Sequence, residues 1–165
     1  MRLSDCARSH PHSFHEMKRQ LFHYYREIQD LGNGERTMPH KRVTLNAGGS
    51  LPSVELQFGN AFFAKYDLYL YDRNGANPQD IAVNQTNGDN IPDVFTIGAN
   101  LPDLDQRILF WQAAISVFDN QLSQTYLMRA IVSQDGTVLG TFDKTGPITN
   151  TVIDQDTVRF VLGGT

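Results

Sequence analysis

The chain of 165 residues is long enough for one domain with an appendage, and a domain of that size needs no covalent staple to fold. It is 40% hydrophobic and 19% charged, so uncharged polar residues fill the remainder, as in a globular domain rich in turns. The single cysteine, Cys6, excludes an internal disulfide framework or a thiolate metal cluster, and no apolar run approaches the roughly 20 residues of a membrane span.

The net charge of −4 conceals a division. Residues 1–43 carry eight Lys/Arg against five acids, a balance of +3, whereas residues 44–165 carry six against thirteen, a balance of −7. All five histidines fall in the first part, and ten of the eleven asparagines fall in the second. The shift predicts a basic N-terminal arm over residues 1–40 and an acidic domain over 41–165. The body lacks a basic stripe, which argues against nucleic-acid binding through it. Residues 1–15 hold no apolar secretion signal, so the expected location is the cytoplasm, or release without a signal peptide, for example in a particle. Met38 precedes the first strand, so the β body could also stand as a separate translation unit.

Residues 13–31 carry a helical pattern. Ser13 and Glu16 match the capping box, in which each side chain satisfies the other residue's free backbone N–H. Phe14, Met17, Leu21, Tyr24, Ile28 and Leu31 then recur at spacings of three and four, and Gly32-Asn33-Gly34 supplies a helix stop. This apolar stripe is the expected partner-binding surface. It packs either on a sheet of its own domain or against a neighbouring subunit.

After residue 42 the period becomes two. Strands are predicted at 42–46, 54–58, 66–71, 80–84, 93–97, 107–116, 125–133, 137–143 and 157–162, separated by turn signals such as Gly59-Asn60, Asn87-Gly88, Asp135-Gly136 and Gly146-Pro147. The fold class is therefore mainly β: an antiparallel sandwich of eight or nine short strands, immunoglobulin-like or jelly-roll-like, with one N-terminal amphipathic helix. A lone mid-strand Trp111 facing the Tyr126 strand resembles immunoglobulin-like sandwiches, without their cysteine pair. Val54, Leu56, Phe58, Leu68, Leu70, Leu109, Trp111, Ile115, Tyr126, Met128, Val132 and Phe160 are the expected core.

Chemistry is sparse. With no histidine beyond position 40, Ser–His or Cys–His catalysis and His-ligated zinc cannot be built within the body. The pairs Asp103/Asp105 and Asp154/Asp156 could serve a carboxylate hydrolase, but the pattern puts both in polar loops as solvated turn residues. The segment Gln85 to Asp93 resembles the calcium loops of thrombospondin type 3 and integrin-propeller repeats. That resemblance implies calcium ligands at Asn87, Asp89 and Asp93, with Gln85 standing where those loops carry their first aspartate. The competing expectation is a plain Asn-Gly turn with no cofactor. His10, His12, His15 and His23 could gather a transition metal, and Asn84-Gln85-Thr86 matches a glycosylation sequon; a basic lead-in and an accidental match are the simpler readings. Tyr69 and Tyr71 share a strand face with Asp67 and would stack sugars if exposed. Together these features predict a non-catalytic interaction or structural assembly subunit (of a virion, filament or complex) that meets itself or a larger assembly through the helix. The alternative is a lectin-like, carbohydrate-binding sandwich, calcium-assisted if the Asn87 loop is occupied.

Overall fold

In the computed structural model the chain divides after Met38, and the unit Pro39–Thr165 is the one whose architecture follows. The structure describes residues 41–59, 62–88, 91–117 and 124–164. The expected helix 13–31 with its stripe of Phe14, Met17, Leu21, Tyr24, Ile28 and Leu31 lies outside the described residues, as do Cys6, the histidines and Asp89.

Nine strands follow in order: β1 (Lys41–Asn46), β2 (Ser53–Phe58), β3 (Phe62–Tyr71), β4 (Gln79–Asn87), β5 (Asp93–Thr96), β6 (Ile108–Val117), β7 (Gln124–Gln134), β8 (Thr137–Ile148) and β9 (Thr151–Gly163). A 3-10 turn at Leu101–Leu104 precedes β6. The strands form a five-stranded sheet in the order β1-β9-β6-β3-β4 and a four-stranded sheet in the order β5-β2-β7-β8. All pairings are antiparallel except β1 with β9, where Lys41 lies beside Val158 and Leu45 beside Leu162.

Strict alternation builds the core. Ala64, Tyr66, Leu68 and Leu70 of β3 and Leu109, Trp111, Ala113 and Ile115 of β6 turn inward from one sheet. Val54, Leu56 and Phe58 of β2 and Tyr126, Met128, Ala130 and Val132 of β7 meet them from the other. Ring contacts cross between the sheets, Phe58 to Tyr66 at 5.4 Å and Trp111 to Phe142 at 5.8 Å between centroids. All twelve residues expected in the core are buried. The architecture is thus mainly β, two-sheeted and sandwich-like.

β3 and β6 are buried on their other faces too, through Asp67, Tyr69 and Tyr71 on one strand and Ile108, Phe110 and Gln112 on the other. Near-continuous apolar strands of this kind belong to sheets covered on both sides.

Strand β3 starts earlier than expected, at Phe62, and β4 runs on to Asn87, into the expected Asn87-Gly88 turn; the strand bounds near the C-terminus correct the sequence expectation further. Gly146-Pro147 is not a turn: Pro147 sits inside β8, opposite Thr125. β8 is an edge strand, where a residue without an N–H loses no ladder bond, and the chain reverses instead at Thr149 and Asn150. Consequently β9 begins at Thr151, and Asp154 and Asp156 stand in mid-strand rather than in a loop.

Candidate functional site

The best-defined polar constellation is a seam where β9 faces β8. Asp154 and Asp156 lie opposite Ala113 and Trp111 in register, and so share the inward side of β9 with Val158 and Phe160. Inward carboxylates are costly unless partnered, and each has partners. Tyr126 donates its hydroxyl to Asp154, and the backbone N–H of Gln155 donates to the same carboxylate at 2.8 Å. Lys41 forms an ion pair with Asp156, which also accepts the N–H of Thr157 at 2.8 Å. Lys144 Nζ stands 4.0 Å from an oxygen of each carboxylate. The Lys41 ammonium lies 5.3 Å from the centroid of the Phe142 ring, in the range of a cation–π contact. Burial first, and then the hydrogen bond and charge of Asp154, push the Tyr126 phenol up to about 12.

This seam contains two carboxylates and two ammonium groups. A glycosidase-type pair needs one acid kept protonated by an apolar surround. Here lysines face both, so the arrangement is electrostatically closed. Deeper in, the indole Nε1 of Trp111 is buried with no hydrogen-bond partner.

A second polar knot lies on the far face of the five-stranded sheet. Asp67, fully buried, accepts the backbone N–H of Asn84 at 2.7 Å and the amide of Gln112 at 3.1 Å. Asn84 reaches it from a left-handed conformation, φ 56°, close to irregular pairing of β3 with β4. Burial, followed by the charge of Asp67, drives the Tyr69 phenol well above its ordinary value. Tyr69 and Tyr71 do share this face, but they are only 8% and 7% exposed. Their rings pack on each other at 6.2 Å and on Phe110 at 6.3 and 6.1 Å, leaving no open ring face for a sugar.

Two of the three calcium candidates, Asn87 and Asp93, meet in a latch. Asn87 is buried, and its amide donates to the Ile91 carbonyl at 2.7 Å and to Asp93 at 3.0 Å. Tyr66 donates to the same Asp93 oxygen at 2.6 Å. The latch ties the end of β4 to the start of β5. It turns the N–H side of the Asn87 amide, not its oxygen, toward Asp93. Among the described residues no three His, Cys, Asp or Glu side chains gather as a metal cage.

An open cleft of about 450 Å³ lies at one end of the sandwich, between the β3–β4 turn (Asp72, Arg73, Asn74) and the segment from Pro102 to Arg107. The Asp103/Asp105 pair lines it but does not converge. Asp103 accepts from Asn100 at 3.2 Å, while Asp105 accepts the Leu162 N–H at 3.0 Å. Arg107 fixes the floor by donating to the carbonyls of Leu70 and Tyr71, both at 3.1 Å. Gln106, at φ 63°, is held between them in a conformation few side chains adopt.

Sequence reasoning missed Lys41 and Lys144 as partners of the β9 acids, and missed the Asp67–Gln112 pair. The first was discoverable: residues 151–158 run without Gly or Pro and alternate Val152, Asp154, Asp156, Val158. No helix among the described residues is long and apolar enough to cross a membrane.

No protein-family model matches the chain, and no curated protein matches it. It is similar to a solved structure, a domain of unknown function from Bacteroides vulgatus, at 13% identity over 67% of this chain and 94% of that one. The TM-score is 0.37, which carries no argument about function.

Proposed function

We propose that this protein is a non-catalytic interaction or assembly subunit, with an acidic sandwich body and a basic arm whose apolar stripe (Phe14, Met17, Leu21, Tyr24, Ile28, Leu31) contacts a neighbouring copy or a larger assembly. The observation that carries the reading is the closed electrostatics of the β9 seam, since the body's most enclosed acid pair is occupied by Lys41 and Lys144. Supporting it, the arm and body carry opposite charge, which favours docking of one copy's arm on the next copy's body. We place such a subunit in the cytoplasm or in a released particle. Within the sandwich class we read the nearer likeness as immunoglobulin-like, because the first strand pairs in parallel with the last beside β6 and β3.

The test is the solution mass of the full chain against a form lacking residues 1–37, measured by light scattering. The full chain is expected to be oligomeric and the truncated form a folded monomer. Two monomers would sink the assembly reading. A second reading, a carbohydrate-binding module, is favoured by the polar end cleft, whose Asp, Asn, Gln and Arg side chains suit sugar hydroxyls. Binding on a glycan array that is lost in Arg73→Ala would bring it forward.

A further inference from the structure

We propose that Lys41 and Asp156 condense to an intramolecular amide that joins the first strand of the body to the last. Lys41 opens β1 on the same inward side as Val43 and Leu45, and Asp156 sits one inward step before Val158, the residue that Lys41 faces in the parallel register. The amine and the carboxylate are in direct contact across these neighbouring strands. Although 45% of the Lys41 side chain is exposed, its nitrogen ends against Asp156 and over Phe142, and only 11% of the Asp156 side chain is exposed. Trp111, the residue opposite Asp156, packs on Phe142 and completes an aromatic wall.

Two reacting groups held by a sheet meet at effective molarities of about 10⁵–10⁸ M, far above what the same groups reach in solution. That advantage offsets the water that drives the reverse reaction. The ion pair and the reactive pair differ by one proton moved along their own hydrogen bond, giving a neutral amine and a carboxylic acid. The amine lone pair attacks the Asp156 Cγ, so that an N–C bond forms. One Nζ proton then passes to the departing hydroxyl, the C–O bond breaks, and one water leaves. No oxidant, nucleotide or metal enters the balance. Lys144, 4.0 Å from Asp156 Oδ2, offsets the negative charge that gathers on the tetrahedral oxygen. Asp154, tied down by Tyr126, holds Lys144 from its other side. The bond would close a loop between residues 115 positions apart, so neither terminal strand could peel from the sheet while the amide held.

The experiment is the intact mass of the denatured full chain, followed by tandem mass spectrometry of its proteolytic peptides. The expected mass is that of the sequence less one water, with a branched peptide joining the Lys41 segment to the Asp156 segment. Lys41→Arg, which keeps the charge but lacks the amine, should restore the full mass. A wild-type chain at its full sequence mass overturns the proposal without any variant having to fold. So does a water loss confined to one peptide, which marks a cyclised aspartate, or a branch placed at Lys144.

Discussion

Tyr126 shows how one residue carries both packing and pH dependence. Its ring lies in the core, and its hydroxyl crosses the sandwich to Asp154. Ionising it would put a phenolate in a buried site against a carboxylate, so the phenol stays protonated up to about 12, compared with an ordinary value of about 10. The folded state therefore holds a proton that the unfolded chain releases first. The stability this contributes is intact below the unfolded value and is lost as pH rises through the folded one. Tyr66 and Tyr69 are raised for the same leading reason, burial, and add to the alkaline loss. Chemical denaturation midpoints should fall between pH 10 and 12, and Tyr126→Phe should fall less steeply over that window while losing stability near neutral pH. An unchanged slope in the variant would remove Tyr126 from the account. Asp67 is the counterpart that no residue pattern revealed. Its apolar neighbours in sequence announced a buried strand, but only the bend at Asn84 turns a backbone N–H toward the carboxylate.

At the scale of elements, turn chemistry and alternation made all nine strands legible, because a two-residue period with Gly or Asn punctuation has few other solutions. Asp135 and Gly136, at φ 52° and 76°, form the mirror-image turn that suits the twist of a hairpin, as Asp-Gly announced. Gly146-Pro147 imitates a turn for a physical reason: an edge strand tolerates a Pro on its unpaired side, so β8 continues through the signal. The expected strand 157–162 excludes Asp154 and Asp156, which β9 includes, and the seam is hidden with them. In the latch, Asn87 and Asp93 stand out in the sequence as polar side chains six positions apart, but Tyr66, its third member, does not, since it comes from a different strand. Two of the three positive-φ glycines among the described residues, Gly98 and Gly136, give a graded test. A Cβ at Gly136 meets nothing within 4 Å, so Gly136→Ala should cost only the left-handed strain, about 1–2 kcal/mol. A Cβ at Gly98 would lie 2.7 Å from the side chain of the fully buried Leu104. Gly98→Ala therefore adds overpacking of about 1–3 kcal/mol to the same strain. Urea denaturation of the two variants should rank Gly98→Ala as clearly the less stable, and equal losses would show that the 3-10 turn yields freely.

For the whole molecule, what matters is how charge is distributed once the fold has consumed its own. Lys41, Arg129 and Lys144 are paired with Asp156, Asp143 and the β9 acids, while Arg107 and Arg159 donate to backbone carbonyls. The body's bases are thus largely engaged within it; residues 41–165 carry eight bases against thirteen acids, a surplus of five acids, and residues 1–40 carry six bases against five acids. An association between copies driven by that complementarity is screened by salt, with a Debye length of about 8 Å at physiological strength and about 3 Å at 1 M. An association driven by the apolar stripe alone holds or tightens as salt is added, because burial of apolar surface does not depend on screening. The weight-average mass of the full chain, followed by light scattering from low to high sodium chloride, separates the two. The proposed docking of arm on body predicts a mass that falls toward the monomer as salt rises, with the circular dichroism of the β body unchanged. A mass that stays constant across the series assigns the contact to the stripe alone and leaves the charge division without a role in assembly.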